Sequence, residues 1–233
     1  MKNLFKKEIN YYLNNPVGYI VIVLFAIFVN FFFIKDIFVS SIFSLKPLFY
    51  LLPWFNMIFI PALTMRSFSE EKRSGTYEVL LTLPVKEKDI LLAKFFSILF
   101  LFLIGLFLTS GILIFIVIFS KANFLELLIG YFGQLLLASF FISISLYFSI
   151  LTKNQIVTFL LGVLTNFFLL VFSSDFVGSI IPRIILDNLI IFSPNYHLEN
   201  FAKGILSFSS LFYFLSFIFF FLYLIFLKIK TKD

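Results

Sequence analysis

The stretch RSFSEEKRSGTYEVLLTLPVKEKDILLAKF, residues 66–95, concentrates the charge of an otherwise apolar chain. Between residues 66 and 94 it holds 11 of the 30 charged side chains, with both signs mixed. The sequence on either side is dominated by phenylalanine, leucine and isoleucine, and 39 of the 233 residues are phenylalanine. We call residues 66–94 the central charged segment. Its place between apolar runs predicts a polar surface at one end of a membrane bundle.

The composition of the chain defines its class. It is 61% hydrophobic and 13% charged, whereas a soluble domain has roughly 25% charged residues. A water-soluble fold of this length could not bury so much apolar surface. We therefore predict an all-α membrane protein with a single domain, residues 1–233. The absence of cysteine excludes disulfides and thiolate metal sites. The net charge of +6 indicates contact with anionic membrane lipids rather than with nucleic acid.

Six apolar segments approach the roughly 20 residues that a spanning helix requires. They are residues 17–34, 48–65, 95–119, 124–151, 156–173 and 209–227. Residues 1–15 precede the first segment and alternate basic with apolar side chains, which predicts an amphipathic helix lying on the membrane surface. Residues 174–208 are predicted to form an extracytoplasmic loop. Because its apolar part is interrupted by prolines and charges, we expect a re-entrant hairpin there.

The distribution of basic residues predicts the orientation. An even number of spans places both termini on the same side. If that side is cytoplasmic, 13 Lys and Arg residues lie inside and 5 outside. The excess of Lys and Arg in cytoplasmic loops of membrane proteins therefore predicts cytoplasmic termini and a cytoplasmic central charged segment.

The chain lacks the residues that several classes of function require. Ion-coupled transporters need ionisable groups deep in the membrane, and only Glu126 falls within a predicted span. No glycine is followed by lysine, so a Walker A phosphate-binding loop is absent. His197 is the only histidine, and we expect it to be a hydrogen-bonded structural residue. We predict no catalytic or metal-binding residues and assign none to a substrate. Energy for transport would have to come from another protein.

Serines at small-residue spacing mark the fourth apolar segment. They are Ser139, Ser143, Ser145 and Ser149. This spacing favours close packing of helices, and a role in lining a substrate path is the alternative. An intramembrane enzyme is disfavoured, because these hydroxyls have no evident histidine, aspartate or lysine partner.

Two short helices are predicted in the central charged segment. Ser67 or Ser69 could cap the first, and Gly75 would end it. Thr76 could cap the second, which would stop before Pro84. The second helix is rich in leucine, so we expect it to pack against the bundle. A solvated connecting loop is the alternative, and it would not need those leucines.

Three stretches resemble a known family. They are PALTMRSFSEEKRSGTYEVLLTLPVKEKDILLAKFF (61–96), SILTKNQIVTFLLG (149–162) and SPNYHLENFAKGIL (193–206). The chain resembles the permease subunit of ABC type-2 transporters. It is most similar to the small bacterial branch that includes the gliding-motility-associated and nitrous-oxide-reductase-maturation permeases.

The resemblance implies a particular architecture. It implies six transmembrane helices with an N-terminal interfacial helix, a cytoplasmic coupling helix between spans 2 and 3, and a re-entrant hairpin before span 6. It implies residence in the bacterial inner membrane and pairing with a second permease subunit, identical or different. Each permease would dock on an ABC ATP-binding subunit. That partner would bind ATP and Mg, and this chain would hold no cofactor.

The resemblance also assigns residues to the coupling of ATP hydrolysis. The ATPase-coupling residues would be Arg66, Glu70, Glu71, Arg73, Gly75, Thr76 and Glu78. The second cytoplasmic loop would contribute Lys153, Asn154 and Gln155. Lys86 departs from the family pattern, which often has a hydroxyl or small residue there to cap the third span. The start of that helix is therefore left open.

The resemblance implies a permease that is not itself an enzyme. It would couple ATP hydrolysis by its partner subunit to transport, in the direction of export. The alternative is a membrane anchor or assembly factor that does not transport. It would recruit an ATPase to act on a protein of the cell envelope.

Overall fold

The computed structural model describes residues 1–40, 46–82, 84–120, 123–172 and 190–231, and within these ranges it contains helices and no strand. This confirms the prediction of an all-α protein. The helices are α1 (Lys2–Asn14), α2 (Pro16–Ser40), α3 (Lys46–Thr64), α4 (Ser69–Ser74), α5 (Thr76–Thr82), α6 (Glu87–Ser120), α7 (Phe124–Leu151), α8 (Gln155–Val171), α9 (Pro194–Ala202) and α10 (Phe208–Thr231).

The six predicted apolar segments correspond to six of these helices. In the described part of the chain, α2, α3, α6, α7 and α10 are long and apolar enough to cross a membrane. The sixth, α8, is apolar but has only 17 residues, which gives a length of about 25 Å. A typical hydrocarbon core is about 30 Å thick, so α8 is shorter than the other five.

Helix α6 is longer than its predicted span. It has 34 residues and a length of about 50 Å, and it begins ahead of the predicted start at residue 95. The backbone carbonyl of Lys86 accepts a hydrogen bond from the Asp89 N–H at 2.9 Å. Glu87 and Asp89 lie in the first turn, where the helix dipole favours acidic side chains. The polar first turn of α6 therefore precedes the apolar part of this helix.

The centre of the bundle is α7. It packs against α3, α6, α8, α9 and α10, and 72% of its most apolar stretch is buried, against 28% for α10 and 33% for α2. The serine row predicted for close packing is buried in α7. The two peripheral helices, α2 and α10, leave much of their apolar surface exposed.

Two glycines let neighbouring elements approach α7 closely. A Cβ atom at Gly130 would lie 2.2 Å from the ring of Phe49 on α3. A Cβ atom at Gly133 would lie 2.6 Å from the Cβ of Phe201 on α9. Helix α9 is therefore packed against the N-terminal half of α7.

The predicted loop at 174–208 is described only in part, because residues 173–189 lie outside the described residues. The described part contains α9 and a turn at Gly204, which has φ of 75°. His197 on α9 is a structural residue, as predicted. Its Nε2 lies 2.9 Å from the carbonyl oxygen of Ile191, and its ring stacks on Tyr213 at 4.1 Å. Burial lowers the pKa of His197, partly opposed by the hydrogen bond to Ile191.

The central charged segment forms the two predicted short helices, α4 and α5. Gly75 joins them with φ of 74°, a left-handed conformation that glycine adopts without steric cost. In α5, Leu80 is buried and Tyr77 and Leu81 pack against the core. The second helix therefore covers the end of the bundle, as its leucine content predicts.

The prediction that Ser67 or Ser69 caps α4 is wrong. The helix begins after Phe68 without a side-chain cap of its own. The Ser69 hydroxyl instead donates back to the carbonyl of Met65, because the turn after α3 continues almost directly into α4. The N–H groups of Phe68 and Ser69 are satisfied by Ser149 of α7, whose Oγ accepts both at 2.9 and 3.1 Å.

Candidate functional site at the charged end of the bundle

Charged and polar elements meet at one end of the molecule. Helix α1 packs along α6, and α4 contacts both α7 and α8. The ammonium of Lys88, in the first turns of α6, lies 5.5 Å from the ring centre of Phe226 near the end of α10. We call this region the charged end. It comprises α1, α4, α5, the start of α6, the α7–α8 loop and the last turns of α10.

Lys94 lies at the centre of the charged end and is only 2% exposed. Its Nζ lies 3.2 Å from Glu8 Oε1 on α1 and 2.9 Å from Glu71 Oε1 on α4. It also donates to the carbonyl of Ser67 at 2.8 Å and lies 5.0 Å from the ring centre of Phe68. One buried ammonium therefore joins α1, the α3–α4 turn and α4 to α6. We call Lys94, Glu8 and Glu71 the buried ion cluster.

The burial of Lys94 explains why two carboxylates surround it. Removing an ion from water is unfavourable by several kcal/mol, and only close opposite charges and hydrogen bonds offset this. Glu8 is itself buried, and the Lys94 ammonium stabilises both carboxylates, which would otherwise repel each other. Removing one member of such a cluster is strongly destabilising, by about 3–5 kcal/mol, because it leaves an uncompensated buried charge. The cluster therefore fixes the relative positions of α1, α4 and α6.

A second set of contacts joins α1 to α4 beside the cluster. Arg66 donates to the side-chain oxygen of Asn15 at 3.0 Å, and its Nε lies 4.0 Å from a carboxylate oxygen of Glu70. The Tyr11 hydroxyl donates to the same carboxylate. Burial raises the pKa of Tyr11, and the hydrogen bond to Glu70 raises it further. Tyr11 therefore remains a neutral donor, and its hydrogen bond to Glu70 attaches α1 to α4.

Helix α4 is also attached to the end of α7. Besides the two bonds to Ser149, the Lys72 ammonium donates to the carbonyl of Ile150 at 2.5 Å. A cation at this position satisfies an otherwise unpaired carbonyl in the last turn of α7 and interacts favourably with the helix dipole. Movement of α4 would therefore be transmitted to α7 as well as to α1 and α6.

The predicted coupling residues divide into two groups. Arg66, Glu70 and Glu71 face α1 and α6, where they form the contacts just described. Arg73, Gly75, Thr76 and Glu78 are exposed. Sequence reasoning did not assign Glu8, Tyr11 or Ser149 to this site. One sequence signal could have indicated Glu8. It lies four residues before Tyr12 in α1, a spacing that places both residues on the same face of the helix, and that face is buried.

The exposed group lies within residues 73–79, at the turn between α4 and α5, where Tyr77 alone is partly buried. Val79 is 62% exposed although it lies on a helix that otherwise packs on the bundle. The Thr76 hydroxyl lies 2.8 Å from the hydroxyl of Ser74, which holds the turn together. Within the described ranges, neither Arg73 nor Glu78 forms an ion pair. We call residues 73–79 the exposed edge.

The predicted second loop lies at the same end, between α7 and α8. Asn154 caps α8, since its side-chain oxygen accepts from the N–H of Ile156 at 2.9 Å. The hydroxyls of Thr152 and Thr158 lie 2.6 Å apart and close the loop. Lys153 is exposed, and Gln155 begins α8. Asn154 therefore shapes the loop, while Lys153 presents a charge outside it.

Two polar side chains form a hydrogen-bonded pair in the interior of the bundle. Asn56 of α3 donates to Gln134 of α7 at 3.1 Å, and Gln134 donates to the carbonyl of Phe49 at 3.1 Å. Both side chains are almost fully buried. Across the described residues, no group of three or more histidine, cysteine or acidic side chains could hold a metal ion.

Long apolar helices around a buried central helix, with charge gathered at one end, define a multi-pass α-helical membrane protein. Its family follows from comparison with known proteins: the chain belongs to the ABC-2 transporter family, whose model, described as ABC-2 family transporter protein, matches residues 3–229. No curated protein matches the chain. Membrane components of this family generally work with an ATP-binding subunit.

Proposed function

We propose that this chain is the permease subunit of an ABC transporter in the bacterial cytoplasmic membrane. It would couple ATP hydrolysis by a separate subunit to export, in a complex with a second permease. The observation that carries this proposal is the exposed edge at residues 73–79, which begins at the end of α4, the helix that the buried ion cluster holds through Glu71. A surface that receives force needs both an accessible contact face and a rigid connection to the moving helices.

The exposed edge supplies the contact face. Arg73 and Glu78 offer charges of opposite sign, and Val79 adds apolar area. Mixed charges at an interface favour specificity and orientation over raw affinity. The edge would dock on the ATPase, and ATP and Mg would be held by that partner alone.

The buried ion cluster supplies the rigid connection. A displacement of α4 would move Glu71 and, through the ion pair, Lys94 with it, and Lys94 lies on α6, a helix long and apolar enough to cross a membrane. Ser149 connects the same displacement to α7. The ATPase would therefore act on two membrane-crossing helices through one short helix. Rigid-body movement of this kind is a common form of switching transition.

The predicted orientation agrees with this arrangement. If both termini are cytoplasmic, α1, the exposed edge and Lys153 face the compartment that contains ATP. Helix α1 would then lie on the inner membrane surface, and α9 would lie on the outer side of the bundle.

The docking proposal is tested by reversing the two free charges of the exposed edge. The chain would be co-expressed with its cognate ATP-binding subunit, and the double variant Arg73→Glu with Glu78→Arg would be purified by a tag on the permease. We expect the recovered ATPase to fall at least tenfold, while the thermal stability of the permease is unchanged. Reversing Glu70 and Glu71 would be a less specific test, because it places new cations beside Arg66 and Lys94.

The matched control exchanges the exposed pair of α9, in the double variant Glu199→Lys with Lys203→Glu. These side chains lie 2.6 Å apart at the opposite end of the bundle, so ATPase recovery should be unchanged. Full recovery with the Arg73 and Glu78 variant would disprove docking at the exposed edge. ATP-driven movement of a substrate into or out of proteoliposomes would separate the permease from the alternative, a membrane anchor that does not transport.

A further inference from the structure

A cavity of about 300 Å³ lies between α1 and α4 at the charged end. Its lining includes the buried Ser67 and Lys94, the partly buried Glu71, and the exposed Ser74 and Thr76. The cavity therefore extends from the protein surface to the buried ion cluster. Liquid water occupies about 30 Å³ per molecule, so there is room for several water molecules.

Two polar atoms of residues that line this cavity have no hydrogen-bond partner among the described residues. One is Oγ of Ser67, a residue that is only 3% exposed, and the other is Oε2 of Glu71. The ion pair with Lys94 uses the other carboxylate oxygen of Glu71, Oε1. Because a buried polar atom without a hydrogen bond is unfavourable, both atoms require a partner that enters the cavity.

The buried ion cluster contains two carboxylates but only one ammonium. Lys94 Nζ lies 2.9 Å from Glu71 and 3.2 Å from Glu8, so the three residues together carry one uncompensated negative charge. Arg66 also lines the cavity, but it contacts Glu70 instead. The cluster therefore favours the uptake of one positive charge.

The other ionisable groups on α1, α4, α5 and the α7–α8 loop do not compensate this charge. They are Lys7, Tyr11, Tyr12, Lys72, Tyr77 and Lys153. Burial raises the pKa values of the three tyrosines, which therefore stay neutral. Lys7 and Lys153 are exposed, so water and salt screen their charges. Lys72 is turned toward α7, where it donates to the carbonyl of Ile150.

We propose that the cavity is a proton-binding site, in which Oε2 of Glu71 takes up one proton from water at the charged end. The proton leaves a hydronium ion, and the new O–H bond forms on the oxygen atom that does not contact Lys94. The neutral carboxyl can then donate a hydrogen bond within the cavity. Lys94 keeps its ion pair with Glu8, and the repulsion between the two carboxylates is removed. The attachment of α4 to α1 and α6 therefore depends on pH.

The electrostatic surroundings of Glu71 support this assignment. Burial raises the pKa of its carboxyl group, the Lys94 ammonium partly opposes this, and the Glu8 carboxylate raises the pKa further. Because the pKa is higher in the folded than in the unfolded protein, protonation of Glu71 stabilises the fold. This contribution is complete below the unfolded pKa and is lost as the pH rises through the folded pKa.

The experiment is infrared spectroscopy of the full-length purified chain, in a detergent without ester groups, over a series of pH values. A protonated carboxyl group has a C=O stretching band that an ionised carboxylate lacks. We expect the wild type to show one carboxyl band that disappears at a higher pH than the bands of the other carboxyl groups. We call it the late-titrating band.

Glu71→Gln should abolish the late-titrating band, because glutamine keeps the shape of the side chain but has no carboxyl proton. Glu70→Gln is the matched control. Glu70 directly precedes Glu71 on α4, and its carboxylate accepts from Tyr11 instead of contacting Lys94. The band should remain in this variant. Glu8→Gln should move the band to lower pH, because Glu71 then pairs with Lys94 alone.

Transfer of the wild type into D2O tests the role of the cavity. The late-titrating band should shift at once, because water in the cavity exchanges with the solvent. Slow exchange would show that Glu71 is closed off from water, and the cavity would not be its proton path.

The wild type alone can overturn the proposal, since the absence of a late-titrating band would do so even if Glu71→Gln did not fold. Persistence of the band in Glu71→Gln would place the proton on another carboxyl group. Loss of the band in Glu70→Gln would do the same. The measurement uses no ATPase, so its outcome is independent of docking at the exposed edge.

Discussion

The ammonium of Lys94 on α6 lies 2.9 Å from the carboxylate of Glu71 on α4. The two residues are separated by 23 positions along the chain, and the contact converts a charged connecting segment into part of the bundle. It also explains why Glu71 is turned inward, whereas Arg73 and Glu78 on the same segment face outward.

Replacing Lys94 by methionine should destabilise the protein strongly. The apolar side chain would leave the buried Glu8 and the partly buried Glu71 without a cation, and we expect a loss of about 3–5 kcal/mol in the free energy of unfolding. Thermal unfolding of the purified protein in detergent would measure the loss as a lower melting temperature. Lys88→Met is the control, because Lys88 is exposed in the same helix and should change stability little.

A triple replacement separates stability from coupling. In Lys94→Met, Glu8→Leu and Glu71→Leu all three charges are removed together, and such apolar replacements of buried ion clusters are often neutral or stabilising. We expect most of the melting temperature to return, while ATPase activity of the assembled complex becomes independent of substrate. Normal coupling in a stable triple variant would show that the cluster only supports the fold.

Ser149→Ala should loosen α4 without unfolding the bundle. The Ser149 hydroxyl accepts two N–H groups at the start of α4, and loss of a capping group is unfavourable by about 1 kcal/mol. Hydrogen–deuterium exchange of the α4 amides should become faster by roughly fivefold. Ser139→Ala is the control, since the Ser139 hydroxyl donates only within α7, to the carbonyl of Leu135, and exchange in α4 should then be unchanged.

Gly75→Ala should be destabilising for a purely conformational reason. A Cβ atom at Gly75 would meet nothing within 4 Å, but the residue has φ of 74°. An L-residue in the left-handed region is unfavourable by roughly 1–2 kcal/mol, and we expect reduced ATPase recovery because the exposed edge is displaced. Gly111→Ala is the matched control: its Cβ atom would also meet nothing, and Gly111 lies within α6. That variant should be neutral or slightly more stable, so equal effects of the two would refute the conformational account.

Gly133→Ala should weaken the attachment of α9 to α7. The added methyl group would lie 2.6 Å from the Cβ of Phe201, an atom next to the backbone that cannot move aside without shifting α9. Overpacking of this kind is unfavourable by about 1–3 kcal/mol, and we expect a lower melting temperature. In a Phe201→Gly background, which removes that Cβ atom, Gly133→Ala should lower the melting temperature less than it does in the wild type. An equal effect in both backgrounds would place the strain elsewhere.

Much of the fold could be predicted because its signals are local. Apolar runs, the charged interruption and the glycine between two short helices depend on neighbouring residues, and the structure has them in the predicted order, although α8 is shorter than a spanning helix. The start of α6 was less clear, because Lys86 cannot cap a helix with its side chain, and the acidic residues that follow mark the beginning instead. The cap of α4 was predicted wrongly, because the hydroxyl that satisfies its first N–H groups comes from α7.

The sequence by itself determined that the chain is an all-α membrane protein with one concentrated charged surface and no phosphate loop of its own. Tertiary structure alone decided how those charges are used. Glu8 and Lys94 are 86 residues apart, and Ser149 is 80 residues from Ser69. A sequence specifies which groups carry charge, but the pairing depends on which helices pack together. The same packing buries Lys94 between its carboxylate partners and leaves Arg73 exposed.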